Sequence, residues 1–192
     1  MKIESIAMAC LMSFVVASNS FAQGRPDSAK LIAAQQQAMQ KLSFMDGEWR
    51  GTASTVLPNG EKHQITQTER VGPFLEGGVK VIEGRGYDAD GKTVFNAFGT
   101  ISFSQSTNSY TMHSYAQGFV GDYVLTPTSD GFIWEIPAGP MTIRYTAVIK
   151  DGTWKEVGDR ITPNQAPIRF FEMELKRLGD TNWPAANAVS PR

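Results

Sequence analysis

Two hydrophobic periods divide the chain. Over "SAKLIAAQQQAMQKL", Ser28 to Leu42, apolar residues recur at Leu31, Ala34, Ala38 and Leu42, with Ile32 and Met39 beside them. That spacing is one face of a helix. The stretch holds no Gly or Pro, and Asp27 stands where a carboxylate can accept from the free amides of a first turn. An amphipathic helix is predicted over 27–42. After Gly47 the period becomes two. "FIWEI" puts Phe132, Trp134 and Ile136 on one side, and "MTIRYTAVI" does so with Met141, Ile143, Tyr145, Ala147 and Ile149. "RFFEMELKR" sets Phe171, Met173 and Leu175 against Glu172, Glu174 and Lys176. Turn signals punctuate the run, among them "PNG" at 58–60, "DADG" at 88–91, "SDG" at 129–131 and "KDG" at 150–152. This texture predicts about ten strands, starting near 48, 61, 78, 92, 109, 121, 131, 140, 153 and 167.

The intervals between strands are too short for helices. Parallel crossovers are therefore excluded, and neighbours pair antiparallel. A long meander leaves two raw edges unless it closes on itself. No internal repeat supports a propeller. The expected fold class is all-β, an antiparallel up-and-down barrel of about ten strands with an N-terminal amphipathic helix. The expected organisation is a signal peptide over 1–22, the helix over 27–42, the barrel over 43–178 and a loose tail over 179–192.

An even strand count makes the first and last strands antiparallel neighbours. Trp49 begins the first, and Arg177 ends the last with the parity of Phe171, Met173 and Leu175. The expected closure is Trp49 plugging one end with Arg177 on its ring, a cation–π contact. Gly47 lets the chain bend sharply into the strand.

Gly47-Glu48-Trp49 resembles the Gly-x-Trp signature of lipocalins, in which a basic residue from the last strand packs on the Trp. The stretches "VGPFLEGGVKVIEGRGYDADGK" and "FGTISF" resemble an uncharacterised lipocalin-like (calycin-type) domain family of secreted bacterial proteins, from Leu42 to Leu178. That resemblance implies fold and compartment and no chemistry. Nitrobindin and fatty-acid-binding-like barrels are more distantly similar. Nitrobindin-type barrels ligate haem through a late histidine, whereas here the histidines are His63 and His113. That departure speaks against haem, and no other cofactor is expected.

The first residues carry a different pattern. Lys2 precedes an apolar run from Ile6 to Ala17 broken only by Ser13, and Ser20 and Ala22 supply small residues before a cleavage point. The order is that of a secretory signal, too short to span a bilayer. A periplasmic or secreted protein is expected. Cys10, the sole cysteine, lies in this leader, so disulfides and thiolate chemistry are excluded from the mature chain. The 18 basic and 19 acidic residues are interspersed, for a net charge of −1. Without a basic cluster, nucleic acid is not an expected partner. No span long enough for a membrane helix follows the leader, and a monomer is expected.

Catalytic patterns are wanting. His113 and Ser114 point to opposite faces of a strand, and no Gly-x-Ser-x-Gly elbow occurs. Glu156 and Asp159 have opposite parity, and Glu83 with Arg85 reads as a salt bridge. "GRGYDADGK" reads as a hairpin, since its aspartates would repel phosphate. Two distant histidines make a poor metal site. What remains is an interior rich in aromatic residues. The expected ligand-binding surface is Phe132, Trp134, Ile143, Tyr145, Phe171 and Met173, with Arg169 at the mouth to hold an acidic head. The leading functional reading is binding of a small apolar or weakly acidic ligand. A filled barrel acting as an interaction domain is the alternative, and a barrel enzyme without a covalent nucleophile the third.

Overall fold

The structure, a computed structural model, describes residues 27–184. The expected leader lies outside the described residues. Helix α1 (Ser28–Gln40) is capped by the Asp27 side chain, which accepts from the Ala29 amide at 3.1 Å. A short 3-10 turn (Ser43–Met45) leads into ten strands: β1 (Gly47–Val56), β2 (Lys62–Phe74), β3 (Val79–Tyr87), β4 (Thr93–Ser104), β5 (Ser109–Ala116), β6 (Phe119–Pro127), β7 (Gly131–Ala138), β8 (Met141–Lys150), β9 (Thr153–Ile161) and β10 (Ile168–Gly179). Each pairs antiparallel with its neighbours in sequence, and β10 pairs with β1 to close the barrel. The fold class expected from the sequence is the one observed. No described helix is long and apolar enough to cross a membrane.

The two ends of the barrel differ. At the end where β1, β3, β5, β7 and β9 begin, the core is dense. Leu42, Met45, Val71, Ile101 and Leu175 are fully buried there, with Trp49, Leu125, Phe132 and Trp154 nearly so. Helix α1 lies across this end, burying Ala38 and Met39, and the Tyr110 hydroxyl donates to the Ala38 carbonyl at 3.1 Å. Lys80 is buried there in an ion pair with Asp46. The first residues of the expected loose tail also pack here. Trp183 meets the Phe74 ring edge-on and lies under Arg70, and a Cβ on Gly72 would collide with Thr181 and Trp183. That packing corrects the expectation for residues 180–184; those beyond 184 lie outside the described residues.

At the other end the wall is incomplete. Strands β6 and β7 share only three register pairs, Leu125 with Trp134, Thr126 with Ile133 and Pro127 with Phe132. From Phe119 to Val124 and from Glu135 to Ala138 the two strands do not pair. Pro137 lies in that unpaired stretch, and proline belongs to sheet edges because it has no amide to donate. The barrel thus has a closed, packed end and an end with a lateral gap.

Candidate binding site inside the barrel

Cross-strand register fixes which side chains share the interior. One lateral row runs Tyr110, Leu125, Trp134, Tyr145, Gly158 and Phe171. In it Trp134 and Tyr145 stack with ring centroids 4.3 Å apart and planes 8° from parallel. Phe170 and Phe171 meet Tyr145 edge-on, and Tyr123 tilts against Trp134 across the β6–β7 gap. A second row runs Ile82, Gly99, Ser114 and Gly121 along β3 to β6, from beside Val71 at the closed end to the open half at β5 and β6. The open half therefore has an aromatic wall from β6 to β10, faced by the small residues Gly99 and Ser114 of β4 and β5, with the Tyr123 ring lying over Gly121. Inward residues of both walls, Trp134, Tyr145, Ile143, Phe171, Ser114 and Gly121, keep part of their surface accessible. Those of the packed half do not.

Two carboxyl groups lie in this interior. Glu156, 7% exposed, accepts from the Trp134 indole at 3.0 Å through Oε1 and from the Trp154 indole at 3.1 Å through Oε2. Burial pushes its pKa up, against the opposing effect of the two indole donors. Glu69, on β2, is pushed up to about 8, chiefly by burial, with the Gln67 amide opposing and the Glu156 charge adding to the rise. Burial also pushes the Tyr145 phenol up to about 12. Such displaced values collect where a fold holds polar groups for use.

The expected ligand residues divide. Trp134, Ile143, Tyr145 and Phe171 face the open half. Phe132 and Met173 instead belong to the packed half, 3% and 7% exposed, with Phe132 edge-on to Trp154. Arg169 does not point inward. A β-bulge between Arg169 and Phe171 inserts Phe170 as an extra residue, so the alternation slips by one. Arg169 lands opposite Asp159 and binds it through Nε at 2.6 Å and Nη2 at 3.2 Å. It belongs to an outer-face ladder, Glu135, Arg144, Asp159 and Arg169, across four strands.

The arginine at the mouth is Arg160. It has the parity of Trp154, Glu156 and Gly158, and its guanidinium lies 4.5 Å from the centre of the Phe170 ring. That parity was legible in "TWKEVGDR"; the Phe170-Phe171 pair concealed the bulge, because either residue suits an inward position. Gln67 and Glu69 were legible too, as polar residues sharing parity with Ile65 and Val71.

At the closed end, Gly47 adopts φ +136°, a conformation that L side chains rarely adopt. Trp49 is 2% exposed, its indole donating to the Met45 carbonyl at 2.9 Å. Arg177 stands opposite Trp49 in register, but its guanidinium turns to the Asp46 carbonyl and the Asp180 carboxylate. What meets the indole is Trp154, edge-on at 5.7 Å. The Arg177 contact expected on the Trp49 ring is thus replaced by an aromatic one, because the Asp46 carbonyl and the Asp180 carboxylate hold the guanidinium beside Gly47.

Elsewhere, His113 faces outward to Asp122, and Glu83 pairs with Arg85. No group of three or more His, Cys, Asp or Glu among the described residues stands together as metal ligands would. A depression of about 390 Å³ lies between Arg50, Thr68, Arg70 and Arg85, which project from the outer face of β1 to β3. On the outside of β4 to β6, Phe98, Tyr115 and Val120 form an exposed apolar row.

No family model matches the chain. No curated protein matches it either. Among solved structures it is similar to the crystal structure of Rv2717c from M. tuberculosis, with a TM-score of 0.55 and 13% identity over 73% of this chain and 96% of that one. A likeness at that identity concerns the fold alone. The closed ten-stranded antiparallel barrel fits a calycin-like fold.

Proposed function

We propose that the protein is a lipocalin-like carrier that takes a small, largely apolar, weakly acidic ligand into the open half of its barrel. The observation that carries the reading is the contrast between the two halves. The closed half is sealed, whereas inward aromatic side chains of the open half retain accessible surface beside a gap in the wall. Binding pockets for small molecules are mostly apolar with a few placed polar groups, and Trp134, Tyr145, Ile143 and Phe171 with Arg160 have that character. The β6–β7 gap supplies the entrance. Arg160 takes the role of contact for an acidic head, since Arg169 is committed to Asp159.

The test is a titration with a fluorescent fatty acid and its methyl ester. Arg160→Ala should weaken the acid by about 1.5–3 kcal/mol, the range for a hydrogen bond to a charged group, and leave the ester nearly unchanged. Arg169→Ala should change neither. Absence of binding by the wild type would remove the carrier reading. It would favour the interaction-domain reading, which has the exposed Phe98, Tyr115 and Val120 row in its support.

The carrier works outside the cytoplasm on this reading, after loss of residues 1–22. The mature protein from the fractionated native host should begin near Gln23. An intact Met1 on the active protein would contradict the compartment.

A further inference from the structure

The segment "QTE" of β2 faces "GRG" of β3. Gln67 pairs with Gly86 and Glu69 with Gly84, and on the other side Gln67 meets Gly51 and Glu69 meets Trp49. The glycines leave the room that the polar groups fill. A Cβ on Gly84 would stand 2.7 and 2.9 Å from the Glu69 carboxyl oxygens, and one on Gly86 would stand 3.2 Å from Gln67 Oε1.

The hydrogen-bond inventory of this floor is one-sided. Gln67, only 4% exposed, gives its amide hydrogens to Glu69 Oε1 at 2.8 Å and to the Thr68 carbonyl at 3.5 Å. Both indole donors go to Glu156. The donors are spent inside the protein. Apart from the proton that burial keeps on Glu69, what is left is acceptors: Gln67 Oε1, which no described residue donates to, and the remaining lone pairs of Glu69 and Glu156. Among the described residues, no Lys, Arg or His forms an ion pair with Glu69 or Glu156. Among the described residues no fully buried side-chain nitrogen or oxygen lacks a partner, so the unpaired oxygens of this floor are ones that solvent, or a ligand, can reach.

We propose that Gln67 and Glu69, backed by Glu156, form a subsite at the floor of the barrel for a protonated primary amine carried on an aromatic body. An ammonium offers hydrogen-bond donors and a positive charge, which is what the floor lacks. The aromatic body would lie along the Trp134–Tyr145 stack, where a cation near the ring faces is also favoured. Without ligand, burial keeps the Glu69 carboxyl neutral at pH 7, and a bound ammonium takes the place of its proton. The subsite rests on the reading that the open half admits ligand, and it adds to the Arg160 contact at the mouth.

The experiment is calorimetric titration at pH 7.5 with phenethylamine, 2-phenylethanol and 3-phenylpropanoate. Wild type, Glu69→Gln and Gly84→Ala are compared. The Glu69→Gln side chain keeps an oxygen for the Gln67 amide, so the fold should persist, as circular dichroism will check. Wild type should bind the amine at least 10-fold more tightly than the alcohol. That ratio should fall to near one in Glu69→Gln, and also in Gly84→Ala, whose methyl group displaces the Glu69 carboxyl. The propanoate should bind both variants no more weakly than wild type. An amine-to-alcohol ratio near one in wild type, or one unchanged in both variants, overturns the subsite. If alcohol and propanoate bind without an amine preference, only the subsite fails. If none of the three binds, the carrier reading fails and takes the subsite with it.

Discussion

Glu69 is where a single residue couples the interior to solution conditions. Its folded pKa is raised, so the folded state holds a proton over a pH range in which the unfolded chain has released it. Stability then falls as pH rises. The contribution is fully present below the unfolded value of 4.5 and is lost progressively as pH climbs to about 8. Glu156, displaced in the same direction, adds to the slope. Urea unfolding at pH 5, 7 and 9 should show wild type losing stability across the series. Glu69→Gln should lose less, and at pH 9 it should be the more stable protein. Parallel curves for the two proteins would mean that the carboxyl is solvated in the folded state. The same residue shows what the sequence conveys at this scale. Alternation in "ITQTERV" assigns Gln67 and Glu69 to the inner face. Nothing in the local spacing says that two glycines on the next strand stand opposite them, because that depends on register.

At the scale of elements, strand starts were legible to within about two residues because turns and alternation coincide along most of the chain. Two departures from regularity were not. The bulge at Phe170 lies between two phenylalanines, so shifting the pattern by one residue costs no apolar match, and Arg169 turns outward unannounced. The gap between β6 and β7 is a tertiary feature whose trace in the sequence is Pro137. Amides along an unpaired edge lack the ladder bonds that slow exchange. Hydrogen exchange should therefore be faster, on the order of 100-fold or more, at the gap-facing amides of Phe119–Val124 and Glu135–Ala138 than along β1 and β2. Equal protection around the whole barrel would show that the wall is closed and that no entrance lies there. Added ligand should slow exchange at the gap first.

For the whole molecule, the decisive contrast is between a sealed half and an open one. Composition conveyed an interior too rich in aromatic side chains to assign, and the aromatic residues divide between two tasks. Trp49, Phe132 and Trp154 seal the helix-covered end, while Trp134, Tyr145 and Phe171 line the other. The facing wall is small at Gly99 and Ser114, while the Tyr123 ring lies over Gly121. The most direct test of this account is the melting temperature of Ser114→Phe, read beside its affinity for the fluorescent fatty acid. The added ring projects from the small-residue wall into the space the ligand is held to occupy. An open interior should accept it, with a melting temperature within about 3 °C of wild type and affinity reduced at least about 10-fold. A filled interior would be overpacked, at a cost of about 1–3 kcal/mol, corresponding to roughly 2–4 °C per kcal/mol for a chain of this size. A drop of about 6 °C or more, or a ring accommodated with binding intact, would contradict the account.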